Sequence, residues 1–440
     1  KKLPNDTDLT VFREDANING FNFAFIGDHF DYHTAQDTYE RLDRETLLHQ
    51  ADYFTTSLNY FANSNLENLN SDEDFVYVNF PFIKLLTYPF SWVIPMLIIA
   101  GVLFLVLLFY GFSLHKITLK GSLIGFVPFL IGVVLCGVIS YYLWELLKVI
   151  HPQYQDILHG FTYNGYTYIL AFVFLNLWIV LKVYSYFRKE EKTTNLLVAP
   201  IFIWFIINFL ISGSLKGAGF FSIPVFSALF ILAISVFMDI EARFKRILFT
   251  IVSIPTIYIF APMIKMFPVG LGLKNLFISG VLIALIFGLM VLSFYQKKAK
   301  WLLKLCGIFA LIFFGYASYT STFSVDHKKP NSIVYIQNDD NKTAYFGTYN
   351  TTLDIYTKKI FDANAIKGSI ANAETKSKYN TRFTYHKKTT NRNVLSSDIL
   401  IDMDTIIGKN RFLELVLKPN RNVNKFEFIT KNKITFKQFK

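Results

Sequence analysis

Apolar and polar positions divide the chain into three regimes. In the head, residues 21–26 (FNFAFI) form a short apolar run ahead of a polar loop, the pattern of a fully buried strand. Beyond the loop the period lengthens. Leu47, Ala51, Phe54, Leu58 and Phe61 recur at three- and four-residue spacing, the apolar stripe of an amphipathic helix that would pack on a sheet. Asp43 is its expected N-cap, with Arg44 the first helical residue. Residues 63–74 are polar and acidic, a linker by composition. Residues 75–90, apolar but broken by Pro81 and Pro89, read as an interfacial entry segment.

The second regime is apolar almost throughout. A bilayer core about 30 Å thick is spanned by about 20 helical residues, and the pattern predicts eight such spans: 91–113, 122–147, 166–187, 196–214, 220–238, 247–265, 275–295 and 302–320. Pro224, Pro255 and Pro262 should kink the fifth and sixth without preventing a span. A Gly-rich turn at Lys216-Gly217-Ala218-Gly219 separates the fourth and fifth.

From Phe323 the pattern becomes short alternating runs between Asn, Asp, Lys and Gly turns. Strands are expected at Ser332–Gln337, Thr343–Tyr349, Leu353–Thr357, Arg382–Tyr385, Asp398–Met403, Phe412–Leu417, Lys425–Ile429 and Ile434–Phe436, a spacing that argues for a small β-sandwich.

Composition sharpens this picture. Hydrophobic residues make up 52% of the chain and charged residues 17%, against about 25% charged in soluble domains. The net charge of +12 conceals an acidic head, with 5 basic and 15 acidic side chains over residues 1–75, and a basic tail with 21 and 11 from Phe323. An acidic head suits a domain that binds cations. The tail contains no nucleic-acid motif, so its charge reads as a solvated face near anionic headgroups, and no nucleic-acid partner is expected. Cys136 and Cys306 both fall in apolar stretches and make neither a zinc cluster nor a disulfide framework.

Lys and Arg mark the membrane orientation. Odd-numbered loops and their flanks hold twelve (Lys116, Lys120, Arg188, Lys189, Lys192, Arg243, Lys245, Arg246, Lys297, Lys298, Lys300 and Lys304), and even-numbered ones hold four (Lys148, Lys216, Lys265 and Lys274). That asymmetry puts the odd loops in the cytoplasm and both ends of the chain outside it. Few polar residues lie within the spans: Asn176, Lys182 and Asn208, with Glu145 near a helix end. A transporter or intramembrane protease would need a denser set. Helix–helix bonding suits the Asn residues, and snorkelling suits Lys182.

Candidate chemistry sits in the loop after residues 21–26, which holds His29, Asp31, His33 and Asp37. Open α/β sheets place their ligand sites at such carboxyl ends of strands. Five pieces of the head follow in order: Thr7-Asp8-Leu9-Thr10-Val11-Phe12, the run Asn22–Ile26, Tyr32-His33-Thr34 with Asp37-Thr38, Leu42-Asp43, and Leu48-His49-Gln50. This ordered set resembles the co-catalytic two-zinc aminopeptidase family that also contains the glutaminyl cyclases. It is closest to the membrane-embedded branch of vacuolar membrane proteases and endoplasmic reticulum metallopeptidases. Residues 75–90 resemble the lead-in of the same branch. Lys329-Pro330-Asn331-Ser332-Ile333-Val334-Tyr335, with Ala344-Tyr345-Phe346, resembles the start of its C-terminal domain.

The resemblance implies that His33 is the terminal zinc ligand, a neutral imidazole on one of two zinc ions. It makes Asp8 part of the hydrogen-bond network beside the site, and Asp37 with Thr34 supports of the loop. His29 has no counterpart. The family's remaining ligands (a His-x-Asp pair, a bridging Asp, a Glu-Glu pair and a further carboxylate) lie upstream of the matched pieces. None precedes Asp8 in a chain that opens at Lys1, so residues 1–65 are expected to be the C-terminal end of an α/β zinc-exopeptidase domain, incomplete without its N-terminal part. The expected whole is multi-domain. It comprises that remnant, a linker and interfacial segment at 66–90, an all-α bundle of about eight transmembrane helices at 91–320, and an extracytoplasmic all-β sandwich at 323–440.

Two functions compete. One is the C-terminal portion of a multi-pass zinc aminopeptidase acting on peptides. The other is a non-enzymatic membrane scaffold carrying a degenerate head. The retained Tyr32-His33-Thr34 and Asp8 favour the first, because a dead site has no physical need of an imidazole there. Abundant Lys, Asn, Ile and Phe indicate an AT-rich genome and fit a bacterial inner membrane, while a vacuolar or endoplasmic reticulum membrane satisfies the same topology.

Overall fold

The computed structural model describes residues 7–18, 20–69, 73–187, 193–294, 300–370, 375–377 and 380–427. Arg188, Lys189, Lys192, Lys297 and Lys298 lie outside them, as do the strand expected at Ile434–Phe436 and the last two residues of Lys425–Ile429. The chain divides into two compact units, one of residues 1–151 and 160–322, the other of residues 152–159 and 323–440.

In the first unit the long apolar runs become helices, since only a helix satisfies every backbone group within one segment in lipid. After a short helix α1 (Asp8–Ala16) and the head helix α2 (Arg44–Ala62) come α3 (Val93–Ser113), α4 (Leu119–Ile150), α5 (Gly165–Tyr186), α6 (Asn195–Ser214), α7 (Ser222–Phe237), α8 (Ala242–Leu271), α9 (Leu276–Leu289), α10 (Val291–Phe294) and α11 (Lys300–Tyr319). Seven helical stretches among the described residues are long and apolar enough to cross a membrane singly. The expected span at 275–295 differs. It is helical but split at Met290 into α9 and α10.

The start of the broken pair is tied to the α4–α5 loop. The Leu273 amide donates to Gly160 O at 2.8 Å, and Asn164 Nδ2 donates to Ala317 O at 2.7 Å. The start of α9 and the end of α11 thus meet the same α4–α5 loop. Residues 276–294 cover about 28 Å as helix. Ten of the 14 residues of α9 are buried and none is exposed, making it a central helix of the bundle.

Pro255 and Pro262 lie inside α8, as expected. Pro224 lies in the first turn of α7, where its missing N–H costs no helical bond, so the expected kink has no cause there. The intramembrane Asn residues bond between elements. Asn176 exchanges hydrogen bonds with Ser140 of α4 at 3.0–3.2 Å, and Asn208 donates to Phe221 O in the α6–α7 turn at 3.1 Å. Close packing makes this possible. A Cβ on Gly280 of α9 would lie 2.8 Å from Cys136 O and from Ser140 Oγ, and 2.9 Å from Asn176 Oδ1.

Residues 75–90 form an antiparallel hairpin, β1 (Phe75–Phe80) with β2 (Lys84–Pro89). Its inner face buries Val76 and Tyr88 against Val93 and Phe220, while Tyr77, Phe82, Ile83 and Leu85 stay exposed. That is one pleated face in and one out.

The second unit contains a four-stranded sheet in the order β3-β4-β6-β5, from Val334–Asn338, Thr343–Thr348, Tyr385–Thr389 and Ile366–Lys367. A separate hairpin pairs β7 (Asp398–Ile407) with β8 (Asn410–Lys418). The hairpin buries no strand residue, so the described strands do not form the two packed layers of the expected sandwich. Leu353–Thr357 is a turn instead of a strand, because the Asp354 carboxylate caps the Thr357 amide at 2.8 Å and takes its hydroxyl at 2.9 Å, local bonds that compete with a ladder.

The small core gathers Tyr349, Ile370 and Phe383, with Leu158 packed against it. Asp156 enters the same unit with a side chain 0% exposed. Its carboxylate accepts from Thr351 N at 2.5 Å, Thr351 Oγ1 at 2.7 Å and Thr352 Oγ1 at 2.5 Å. Lys329 Nζ lies 3.4 Å away and also donates to Thr352 O.

Candidate metal-ligand loop

The head is built around an extended segment laid on a helix. The strand expected at Phe21–Ile26 does not form, and its side chains are 42–66% exposed at Phe21, Phe23, Phe25 and Ile26. A strand exists only by pairing, and none of the three sheets among the described residues includes this segment. Its alternation is nonetheless used. Phe21, Phe23 and Phe25 meet Phe61, Tyr53 and His49 at ring distances of 5.8, 5.0 and 5.6 Å. One face of extended chain thus runs antiparallel along one face of α2.

That contact employs the 49/53/61 side of the helix. Leu47, Phe54 and Leu58 of the expected stripe remain 44–66% exposed. Asp43 caps the helix as predicted, its Oδ1 accepting from Thr46 N at 2.7 Å, and that amide holds its carboxyl below the usual range.

The loop that follows is tightly self-bonded. Thr34 Oγ1 and Thr34 N both donate to Asp31 O, at 2.7 and 3.0 Å. Gln36 N donates to Thr34 Oγ1 at 3.0 Å and Asp37 N to Thr34 O at 3.2 Å. Thr34 thus ties together the backbone of Asp31, Gln36 and Asp37. Asp37 joins through its amide, and the carboxylate brace comes from Asp31, which takes both Arg41 Nε and Nη2 at 2.7 and 3.1 Å. No pattern in the sequence marked Arg41. Two ends of a ten-residue separation carry no periodic signal.

His33 sits at the tip with φ of 61° and its ring against that of Tyr32, 3.6 Å between centroids. The left-handed conformation is uncommon for a residue with a side chain, and such outliers cluster where position matters. His29 is held differently. Its Nδ1 lies 2.6 Å from Ile26 O, and since a carbonyl only accepts, Nδ1 carries the proton in the neutral ring.

Asp8 lies in the first turn of α1, which is tied to the extended segment through Thr7 Oγ1 and the Asn22 side chain at 3.1–3.3 Å. Imidazole suits zinc as one donor of four. Among the described residues, however, no three His, Cys, Asp or Glu side chains gather as a metal-holding group. Asp8, His33 and Asp37 do not complete a zinc site between them.

Comparison with known proteins bears on this segment. Residues 1–57 match the Peptidase family M28 model. Endoplasmic reticulum metallopeptidase 1 of Rattus norvegicus is 34% identical over 64 residues, which are 14% of this chain and 7% of the relative. The Homo sapiens protein of that name is 33% identical over 64 residues, with the same shares. The matched stretch thus spans a small part of each relative's length. No solved structure matches the chain. Residues 1–57 are thus similar to part of Peptidase family M28, and a 64-residue stretch of the chain is similar to endoplasmic reticulum metallopeptidase 1.

Proposed function

We propose that this chain is the C-terminal portion of a multi-pass membrane zinc metallopeptidase of aminopeptidase type, with His33 as a ligand of one of two zinc ions. The single observation that carries the reading is the family match over residues 1–57, a stretch that contains Asp8, His33, Thr34 and Asp37. Zinc, when bound, supplies the Lewis acid that activates water for attack on a peptide carbonyl.

The residues of this chain have the supporting tasks. His33 offers a neutral imidazole, and Thr34 with the Asp31–Arg41 pair holds the loop that presents it. The remaining ligands come from a part of the peptidase domain that the matched segment does not include. The membrane helices anchor the catalytic domain on the extracytoplasmic side, in a bacterial inner membrane or in a vacuolar or endoplasmic reticulum membrane. A peptide is the substrate.

The test is aminopeptidase activity of the full-length protein on short peptides bearing a free amino terminus. Activity abolished by a chelator and restored by zinc is the expected result. A full-length, folded protein that binds zinc in no stoichiometric amount and cleaves no peptide is instead the scaffold.

A further inference from the structure

Residues 160–164, the last part of the α4–α5 loop, are tied into the first unit by several contacts. Gly160 O accepts from the α8–α9 turn, and Asn164 Nδ2 donates to the end of α11. Asn164 Oδ1 also takes the Thr162 hydroxyl at 2.7 Å. Phe161 is 0% exposed and packs so closely on Gly165 that a Cβ there would lie 2.7 Å from its ring. Three membrane helices therefore lock these few residues in place.

The metal-ligand loop rests on them. Phe30 stacks on Tyr163 with ring centroids 4.3 Å apart and on Phe161 at 6.1 Å. A Cβ at Gly27 would lie 3.6 Å from the Tyr166 hydroxyl. Burial, helped by the Asp31 carboxylate and opposed by Arg41, pushes the Tyr163 hydroxyl above its ordinary range. Phe30 is three residues from His33, and Asp31 is the residue that braces the loop. The two functions of residues 27–34, seating and presenting an imidazole, are thus carried by adjacent side chains.

We infer that Phe161 and Tyr163 are a seat for residues 27–34, so that the membrane bundle sets the position of His33 and acts as a positioning element of the catalytic site as well as its anchor. The seat rests on geometry alone; only the role of what is seated rests on the peptidase reading. An aromatic platform fits this task because a stacked pair fixes orientation as well as distance. Metal ligands in turn depend on such outer supports.

Hydrogen exchange of the full-length protein tests the seat. Phe30→Ala and Tyr163→Ala should each raise exchange of residues 27–38 about fivefold, the opening expected when one stacked pair is lost. Tyr163→Phe, which keeps the ring, should leave exchange at the wild-type rate. Phe30 lies in the head loop, so its replacement leaves the bundle folded, and exchange of α4 and α5 should be unchanged. Zinc content measured on the same samples should fall in both alanine variants and not in Tyr163→Phe. Unaltered exchange at 27–38 in the alanine variants overturns the seat. Raised exchange in a protein whose wild type holds no zinc and cleaves no peptide upholds the seat and overturns the peptidase reading.

Discussion

Asp156 shows how much one side chain can carry at the residue scale. Its carboxylate is fully enclosed and takes hydrogen bonds from Thr351 and Thr352 while facing Lys329, itself 13% exposed. Removing one partner of a buried pair leaves an uncompensated charge and costs about 3–5 kcal/mol. Asp156→Ala should therefore raise hydrogen exchange throughout β3, β4 and β6 and leave the membrane helices unaffected. Unchanged protection of those strands would show that the pair does not stabilise the sheet. Asp354, 31% exposed, makes a pH prediction. Burial opposes its charge, but the Thr357 amide, Asn331, the Thr357 hydroxyl and Lys329 prevail and hold its carboxyl at about 2. A folded value below the unfolded one gives stability that is present above about pH 4 and lost as pH falls toward 2. After solvent screening it amounts to about 1–2 kcal/mol. Exchange of residues 350–357, corrected for intrinsic rates, should rise over that interval in wild type and stay flat in Asp354→Asn. The role of Asp156 was not visible in the sequence, because Asp156 and Thr351 are 195 residues apart and no local pattern links them, whereas Asp354 caps Thr357 only three residues on in a stretch expected as a strand.

At the scale of elements, α4, α5 and α9 meet without room for a methyl group. Helices in lipid associate through small residues and interhelical bonds instead of hydrophobic burial. Gly280→Ala forces its Cβ against the Cys136 carbonyl, which is backbone and cannot rotate away. The cost should be about 1–3 kcal/mol. Ser140→Ala loses the two hydrogen bonds exchanged with Asn176, each worth about 0.6 kcal/mol in such settings. The melting temperature of the solubilised protein should therefore fall further for Gly280→Ala than for Ser140→Ala, and the reverse order would mean that the bonds and not the close approach hold this crossing. Helices of this kind were legible in the sequence, since length and apolarity alone specify them. The head was legible only in part. The alternation of Phe21, Phe23 and Phe25 was real, but the sequence does not state what an alternating run lies against, and here it lies on α2. Strands at Asp398–Met403 and Phe412–Leu417 were legible by the same alternation, though not their pairing as the β7–β8 hairpin, while the short β5 at Ile366–Lys367 has too few residues to show a period.

At the scale of the whole molecule, the boundary near Phe323 follows the change from apolar runs to short alternating ones. The inclusion of residues 152–159 in the β unit does not, because it depends on contacts made far along the chain. The split helix α9–α10 tempers any count of spans read from apolar length in the sequence, since the expected span at 275–295 breaks at Met290. The candidate site has a similar history. Ordered motif pieces found its loop, and three-dimensional contacts supplied what holds that loop: the Asp31–Arg41 brace and the aromatic seat beneath Phe30. The central claim is that His33 is a zinc ligand of a peptidase. Metal content of the purified full-length protein, wild type against His33→Ala, tests it most directly. Two zinc ions per chain in wild type and about one in the variant, with nearly all peptide cleavage gone, is the predicted result. Equal zinc content in the two proteins would contradict the assignment of His33.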